Sequence, residues 1–372
     1  MKLNNTSSSD VPAVRADLGL LRELVAIPSV TADIAANDLC QEKVADWLAA
    51  RGVFTRFEHA EDGRKILYAA TVPEKVTDFM LNAHTDVVPA SEGMFAPVER
   101  DGWLCGRGAG DCKGNVVMIC RLLAELNGKA SVGAVFSSDE EVAGNAAETM
   151  VRLGYAARKL IVVFDSQPYS LCTAEKGHVY LTVRATGRAA HASRPWEGDN
   201  ALSKLLSGFA QIAALLPHDA TADDFWHETL EPTVARAGDV PNRLPEVAEL
   251  TFNLRYLDPA APERWARTIA ERTGLEVEVG KISAPVTTEA DAPIVQDLAR
   301  HLRVSWPNRP VPFVRMNGAT DARSFVKLGV PLVISSVEKR GDHADSEGVR
   351  LASLDEVGDA FRDFILESGA TA

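Results

Sequence analysis

Hydrophobic and polar positions in residues 1–175 follow two alternating periods, one typical of helices and one typical of buried strands. Helical spacing runs through residues 33–50, which end before Gly52, and again through residues 115–126. Short apolar runs of the length of a buried strand separate the helices, at residues 79–83, 132–136 and 160–164. This alternation predicts a doubly wound α/β domain with a mainly parallel sheet.

The pattern changes after about residue 178. It becomes strand, helix, two strands, helix and strand, at residues 179–185, 200–216, 232–237, 248–256, 262–272 and 275–279. This β-α-β-β-α-β order is that of a ferredoxin-like unit, which can be inserted into a host domain. The α/β pattern then resumes. We therefore predict a catalytic domain formed by residues 1–177 and 286–372, interrupted by an inserted lid domain at residues 178–285.

Composition and charge narrow the possible partners. The chain is 46% hydrophobic and 24% charged, as folded globular proteins are. Its net charge of −13 argues against nucleic acid as a partner. Residues 1–11 are polar and serine-rich, and no apolar run approaches the roughly 20 residues that span a bilayer, so we expect no membrane association. The five cysteines form no C-x-x-C pair, so we expect reduced thiols and a cytoplasmic location.

His84 and Asp86 form the first candidate for chemistry. They lie at the carboxyl end of the apolar run 79–83, and residues two apart on a strand point the same way. An aspartate in this position can accept the second N–H of a metal-bound imidazole and fix its tautomer. His-x-Asp alone is a weak signal, because it also occurs in histidines with purely structural roles.

A glycine-rich loop, residues 106–114, delivers Asp111 just before a helix. Such turns can also cradle phosphate at a helix start. The spacing is not G-x-G-x-x-G, and the carboxylate of Asp111 would stand where a phosphate would bind, so we favour a ligand role for Asp111.

Further acids follow other predicted strands. Residues 139–141 are three consecutive acids, Asp165 ends the next strand, and His343 lies on a late acidic loop. A charge run is usually a solvated loop. However, the carboxyl ends of strands in an open α/β sheet form its binding crevice. Two histidines with several carboxylates there suit a pair of zinc ions about 3.5 to 4 Å apart.

Seven motifs occur in one order along nearly the whole chain: His84-x-Asp86, residues 106–114, Glu140-Glu141, Asp165, Gly187-x-x-x-His191-x-Ser193, residues 317–323 and His343-x-x-x-Glu347. In this order and spacing the sequence resembles the zinc-dependent deacylases and exopeptidases that include acetylornithine deacetylase, succinyl-diaminopimelate desuccinylase and glutamate carboxypeptidase. The resemblance implies two Zn²⁺ per subunit, which Co²⁺ or Mn²⁺ can replace.

The resemblance also implies a ligand set. Asp111 would bridge the two metals, His84 and Asp165 would complete one position, and Glu141 and His343 would complete the other.

It further assigns Glu140 as the general base and Asp86 as the partner of His84. The family places a cis peptide bond after the bridging carboxylate, which here is the Asp111–Cys112 bond.

The remaining implied residues bind substrate. His191, otherwise an ordinary turn histidine, would reach the active site of a neighbouring subunit in a homodimer formed through the lid, and would donate a hydrogen bond to the oxyanion. Arg255, otherwise an exposed strand arginine, would hold a substrate carboxylate. Further contacts are expected from Asn242, Gly318 and Thr320, and Arg323 is the next candidate for the carboxylate.

We therefore expect a zinc amidohydrolase that removes an acetyl or succinyl group from an N-acyl amino acid. The alternatives are a dipeptidase or carboxypeptidase of the same family and a catalytically silent relative that binds a ligand. Asp165 stands where the deacetylases usually have Glu-Pro-Thr, and aspartate there is more common in the aminoacylase and dipeptidase branches. Residues 237–242 are also shorter than usual. The substrate therefore stays open among N-acyl amino acids and dipeptides.

Overall fold

The computed structural model of the protein describes residues 17–217, 221 and 224–369. The serine-rich start at residues 1–11 and its predicted lack of an export signal lie outside these ranges. The helices are α1 Leu18–Ala26, α2 Ile34–Ala49, α3 Gly114–Leu126, α4 Ala146–Arg152, α5 Ala201–Ile212, α6 Ala261–Thr273, α7 Pro293–Ser305, α8 Ala322–Phe325 and α9 Leu351–Gly369. No helix within the described ranges is long and apolar enough to cross a membrane.

The strands are β1 Phe54–His59, β2 Lys65–Ala70, β3 Val76–His84, β4 Val98–Arg100, β5 Trp103–Cys105, β6 Val132–Ser137, β7 Ala156–Phe164, β8 Leu171–Glu175, β9 Gly177–Thr186, β10 Thr229–Ala237, β11 Val247–Tyr256, β12 Glu276–Val279, β13 Val286–Thr287, β14 Phe313–Met316, β15 Leu332–Ser335, β16 Lys339–Arg340 and β17 Gly348–Arg350. Short helical turns occur at Glu92–Phe95, Ala109–Lys113, Glu140–Val142, Pro195–Glu197, Ala213–Leu215 and Val326–Leu328.

The described residues form two compact units. The first contains the chain up to residue 173 together with residues 288–314 and 324–369, and the second contains residues 174–287 and 315–323. The domain boundaries at residues 177 and 285 stay predictions.

The first unit is built on a mixed sheet whose centre is parallel. Its strands follow the order β1-β2-β6-β3-β7-β15-β8. β3 pairs in parallel with β6 and β7, and β15 pairs in parallel with β7, which confirms the predicted α/β class. β1 and β2 add an antiparallel edge. The register places His84 opposite Ser137, so the residues that follow β3 and β6 emerge together.

Helix α3 anchors the core of this unit. Eleven of its 13 residues are buried, because apolar side chains occupy nearly every face. α9 packs against it and closes the core, with Phe361 in edge-to-face contact with Phe164 of β7 at 5.0 Å between ring centroids. α3 begins immediately after the loop that carries Asp111, so its packing fixes that loop.

The second unit contains the predicted β-α-β-β-α-β order, formed by β9, α5, β10, β11, α6 and β12. Its sheet is antiparallel in the order β10-β11-β9-β12, as in a ferredoxin-like unit. Leu181, Leu205, Phe252 and Ile269 belong to its own buried core. α5 ends at Ile212 and is followed by the short helical turn Ala213–Leu215, so the helical segment stops just before the predicted residue 216, where Leu216 precedes a proline and is extended.

A small antiparallel sheet in the first unit, β16-β17-β5-β4, escaped the sequence pattern. Its strands have only two or three residues, which is too short for a periodic signal. It holds the segment of residues 339–350, which carries His343.

Candidate metal centre and substrate cavity

Three neighbouring parallel strands of the first unit end at the same edge of the sheet. β3 ends at His84, β6 at Ser137 and β7 at Phe164. The predicted residues Asp86, Glu140, Glu141 and Asp165 directly follow these ends, as the sequence indicated. We call His84, Asp111, Glu141, Asp165 and His343 the carboxylate–histidine cluster.

The imidazole of His84 is held in one orientation. Its Nδ1 lies 3.0 Å from the main-chain carbonyl oxygen of Asp86 and 3.4 Å from Oδ1 of the same residue. A carbonyl oxygen only accepts, so Nδ1 carries a proton. Nε2 lies 3.1 Å from Oδ1 of Asp111, where it donates when the ring is protonated and can bind a cation when the ring is neutral.

The carboxylate of Asp86 does more than the sequence predicted. Its Oδ1 accepts the backbone N–H of Glu140 at 3.1 Å, and its Oδ2 accepts that of Glu141 at 3.2 Å. Oδ2 also accepts the hydroxyl of Thr31 at 2.7 Å. Asp86 therefore positions the turn that carries both glutamates, in addition to facing His84.

The carboxylate of Asp111 faces two histidines. Oδ1 lies 3.1 Å from Nε2 of His84, and Oδ2 lies 3.3 Å from Nε2 of His343. The Asp111–Cys112 peptide bond is cis, as the resemblance implied. The backbone N–H groups of Gly110 and Asp111 donate to Oε1 of buried Glu347, which also pairs with Arg107 and so fixes the loop.

Glu141 and His343 complete one side of Asp111. Oε2 of Glu141 lies 3.0 Å from Nε2 of His343, and ligand atoms of these two residues and Asp111 lie within 4.8 Å of one another. Oε1 of Glu141 is buried and has no hydrogen-bond partner among the described residues. A buried oxygen without a donor is costly, so a ligand is expected there.

His84, Asp165 and Glu140 gather on the other side, again within 4.8 Å. Oδ2 of Asp165 lies 4.0 Å from Nε2 of His84. The adjacent residues Glu140 and Glu141 thus belong to different groups of ligand atoms. Lys339 also reaches this side, with Nζ 3.4 Å from Oδ1 of Asp165.

Burial and crowding of like charges disturb the titration of the cluster. Burial, reinforced by the charge of Asp111, raises the pKa of Glu141 to about 7 and that of Asp165 to about 6. The hydrogen bond to Asp111 raises the pKa of His343 to about 9. Burial acts to raise the pKa of Asp111, but Lys339 and the two histidines hold it well below its usual range.

These residues fit a centre for divalent cations. The set combines imidazole nitrogen with carboxylate oxygen, and the carboxylate of Asp111 faces both sides. The buried Oε1 of Glu141 receives no donor from the part of the chain that the structure describes. Cys112 also lies beside His84, and ligand atoms of these two residues and Asp111 come within 4.8 Å of one another. Burial raises the pKa of the Cys112 thiol to about 12, so it is protonated in the metal-free protein.

The second unit contains a cavity of about 610 Å³ that we call the cationic cavity, lined by Lys176, Thr221, Phe225, Thr229, Arg255, Asn317 and Gly318. It brings together two residues predicted to bind substrate, Arg255 and Gly318. Nη1 of Arg255 donates to the carbonyl oxygen of Asn317 at 3.4 Å. Burial lowers the pKa of Arg255, and burial together with Arg255 lowers the pKa of Lys176.

Thr320 and Arg323 are held by carboxylates of the same unit. The backbone N–H and the hydroxyl of Thr320 both donate to Oε2 of Glu175, at 3.1 and 3.0 Å. Nη2 of Arg323 lies 3.4 Å from Oδ1 of Asp321. Both donor groups of Thr320 are thus used within the unit.

His191 and Asn242 lie on adjacent loops of the second unit, and both are exposed. The backbone N–H of Ala192 donates to the carbonyl oxygen of Asn242 at 2.9 Å. Nδ1 of His191 accepts the backbone N–H of Ser193 at 3.2 Å and lies 2.7 Å from its hydroxyl. In the neutral ring the proton is therefore on Nε2, which is the donor of this exposed side chain.

Sequence reasoning missed two lysines, Lys176 in the cavity and Lys339 beside the cluster. Each stands next to another charged residue, as Glu175-Lys176 and Lys339-Arg340, and such pairs are typical of surface segments. The signal for Lys176 is its place between two apolar strands. Lys339 gave no comparable signal, because the two-residue strand that carries it is invisible in the pattern.

Comparison with known proteins gives one family match and a set of relatives. Residues 80–367 match the model of the peptidase family M20/M25/M40. The chain is 25% identical over 371 residues to succinyl-diaminopimelate desuccinylase of Nautilia profundicola, covering 94% of this chain and 99% of the relative. It is 28% identical over 261 residues to acetylornithine deacetylase of Proteus mirabilis, covering 64% and 66%.

Solved structures share the fold. A metallo-carboxypeptidase of the M20 family from Sulfolobus solfataricus superposes with a TM-score of 0.77 at 16% identity, covering 94% of this chain and 98% of that one. A tripeptidase from Staphylococcus aureus gives a TM-score of 0.75 at 17% identity, covering 95% and 98%.

Proposed function

Since the chain belongs to the peptidase family M20/M25/M40 and is a hydrolase of amide bonds, we propose that it is a zinc-dependent amidohydrolase that removes an acetyl or succinyl group from an N-acyl amino acid. The observation that carries this proposal is the carboxylate of Asp111, whose two oxygens face His84 and His343 separately. Such a carboxylate can serve two cations at once, with Asp165 completing one position and Glu141 the other.

Bound cations would polarise the amide carbonyl and lower the pKa of an attacking water. Glu140 is the base that accepts the proton of this water and passes it to the leaving amine. The backbone N–H of Glu140 is fixed by Asp86, so the base starts from a defined position. Glu141 faces His343 instead and is therefore a ligand and not the base.

Substrate recognition is assigned to the second unit. Arg255 and Lys176 place two cationic groups in one cavity, which suits the carboxylate of an amino acid or of a succinyl group. Gly318 lines the same cavity. Thr320 is proposed to support the substrate through the segment that it shares with Gly318, because its own donors are held by Glu175.

Asn242 lies beside His191, at the opposite end of β10 and β11 from Arg255, and is proposed to act together with His191. His191 is proposed to donate its Nε2–H to the oxyanion in the active site of a partner subunit.

A second function, dipeptidase or carboxypeptidase, deserves the same test. A probable carboxypeptidase of Aspergillus clavatus is 28% identical over 259 residues, covering 64% of this chain and 61% of the relative. A free α-carboxylate is also what a carboxypeptidase must recognise, so the cationic cavity serves either activity.

We also propose a homodimer formed through the second unit. β10 is an edge strand of the four-stranded sheet and is exposed along most of its length. Leu206 of α5 and Val234 of β10 are 59% and 45% exposed. Unpaired edges and apolar patches of this kind are usually covered. Sedimentation should give a dimer, and Val234→Lys should shift it towards monomer; a wild-type monomer at all concentrations contradicts the proposal.

We place the enzyme in the cytoplasm because all five cysteines are free and four of them are buried. This arrangement is typical of proteins in reducing compartments.

The substrate class is tested with a panel assayed by release of free amine. The panel contains N-acetyl and N-succinyl amino acids, dipeptides, and the α-amidated form of each. Turnover of the acyl amino acids above the dipeptides, lost on chelation and restored by Zn²⁺, supports the deacylase. Turnover of dipeptides alone moves the assignment to the peptidase, and no turnover of either class by the zinc-loaded protein contradicts both.

A further inference from the structure

Lys339 is a buried lysine in contact with the carboxylate–histidine cluster. Its Nζ lies 3.4 Å from Oδ1 of Asp165, 3.8 Å from Oδ1 of Asp111 and 3.0 Å from Oδ2 of Asp342. The side chain is 9% exposed. A buried ammonium group needs opposite charges around it. Here two of those charges come from residues proposed to bind metal.

The fold fixes the stem of this lysine next to Asp111. Lys339 lies on β16 and pairs with Val349 of β17. A Cβ atom added to Gly110 would lie 3.0 Å from Cβ of Lys339 and 3.1 Å from the carbonyl oxygen of Gly348. The missing side chain at residue 110 therefore allows this small sheet to approach the loop that carries Asp111.

The lysine makes the charge near the two carboxylate oxygens of Asp111 unequal. It approaches Oδ1, the oxygen that faces His84, and leaves Oδ2 to His343. On the side of His343, Oε1 of Glu141 is buried and accepts no hydrogen bond from any described residue, so a ligand could supply its partner. On the side of His84, the lysine adds a cationic group that is not itself a metal ligand.

We propose that Lys339 is a resident counter-charge at the His84–Asp165 position, and that it makes this position the weaker and later filled of the two metal positions. The inference rests on the proposed function, since it requires two such positions. A cation that enters there must either displace the ammonium from Asp165 and Asp111 or accept a like charge nearby. Asp342, which is 42% exposed, offers the ammonium a place to withdraw to.

Equilibrium binding of zinc to the metal-free protein tests this directly. Calorimetry and metal analysis after dialysis at buffered free Zn²⁺ should give two separate steps for the wild type. Lys339→Met should tighten the weaker step by at least about tenfold and bring the two steps together, because the competing charge is gone. The readout is binding and does not depend on turnover.

Arg340→Met is the matched control. It removes the same charge from the next residue of the same strand, whose guanidinium stacks on Trp103 at 4.3 Å from the ring centroid. Both zinc-binding steps of this variant should have the wild-type affinities.

Thermal unfolding provides a second measurement. Without metal, Lys339→Met should lower the midpoint, since Asp111 and Asp165 lose a neutralising partner. Added zinc should bring the midpoint of Lys339→Met back to that of the wild type. The midpoint of Arg340→Met, relative to the wild type, should not depend on zinc.

Asp342→Asn extends the test if Lys339→Met does not fold. It keeps the lysine but removes the outer carboxylate, so the ammonium stays on Asp165 and the weaker step should weaken further. The opposite signs of the two variants support the proposal. The proposal is overturned if the wild type binds two zinc ions with equal affinity, or if both variants bind zinc as the wild type does. Neither result affects the proposed function. A wild-type protein that binds no zinc overturns the proposed function as well.

Discussion

The carboxylate–histidine cluster of the first unit and the cationic cavity of the second unit are built from opposite charges. In the cluster, burial and neighbouring carboxylates raise the pKa values of Glu141 and Asp165. In the cavity, burial lowers the pKa values of Lys176 and Arg255. The first region concentrates carboxylates and the second concentrates cationic side chains, so a divalent cation suits the first and a carboxylate suits the second.

The cluster and the cavity also differ in what they are expected to bind: the cluster binds metal and the cavity binds part of the substrate. The cluster lies at the ends of three strands and is fixed by hydrogen bonds to Asp86 and Glu347. The cavity is formed by residues that include Asn317 and Gly318, which come from a separate stretch of the chain. We therefore expect changes in the cluster to affect all substrates alike, and changes in the cavity to affect only substrates that carry the recognised carboxylate.

The largest effect is expected for Glu140→Gln. It removes the proposed base and keeps the shape of the side chain, so turnover of every substrate should fall by about 10³-fold. Zinc content, measured by metal analysis, should stay at the wild-type value. Glu141→Gln is the matched neighbour and should instead lose zinc. A Glu140→Gln enzyme with more than a tenth of wild-type activity contradicts the assignment.

The second-largest effect is expected for a substitution in the cationic cavity. Arg255→Met should lower kcat/KM for substrates with a free α-carboxylate by roughly 10- to 100-fold, the usual cost of a lost charge-assisted hydrogen bond. The α-amidated substrates should hardly change.

Arg184→Met is the control for Arg255, because it removes an arginine from the same sheet at an ion pair with Glu249. If Arg255→Met keeps the full preference for the free carboxylate, another cation reads it, and Lys176 and Arg323 are the next candidates.

The sequence predicted the cluster residues whose positions follow from strand periodicity. Buried runs ending at His84 and before Asp165 place their side chains at one edge of a parallel sheet, and the structure brings them together. The exact partners of Asp86 could not be predicted, because main-chain N–H groups of a turn have no sequence signature. Lys176 and Lys339 were missed for a related reason: whether a lysine is buried depends on residues far away in the chain.

The smallest effect is a pH dependence of the metal-free protein. The pKa of His343 is raised from 6.5 to about 9, so its contribution to stability is complete below pH 6.5 and is lost as the pH rises to 9. Glu141, raised from 4.5 to about 7, acts in the same direction between those values. The urea midpoint should therefore fall as the pH rises from about 5 to 9.

Saturating zinc should flatten this slope, because bound cations replace the protons on His343 and Glu141. A metal-free midpoint that rises over the same pH range contradicts the proposed state of the cluster.

We propose above that Asp111 serves two cations, one on each side. Anomalous diffraction at the zinc edge, from crystals grown with zinc, locates such cations. We expect a strong peak among Asp111, Glu141 and His343 and a second, weaker peak among Asp111, His84 and Asp165. A diffraction map with no peak beside Asp111, or with zinc bound only elsewhere on the chain, would contradict it.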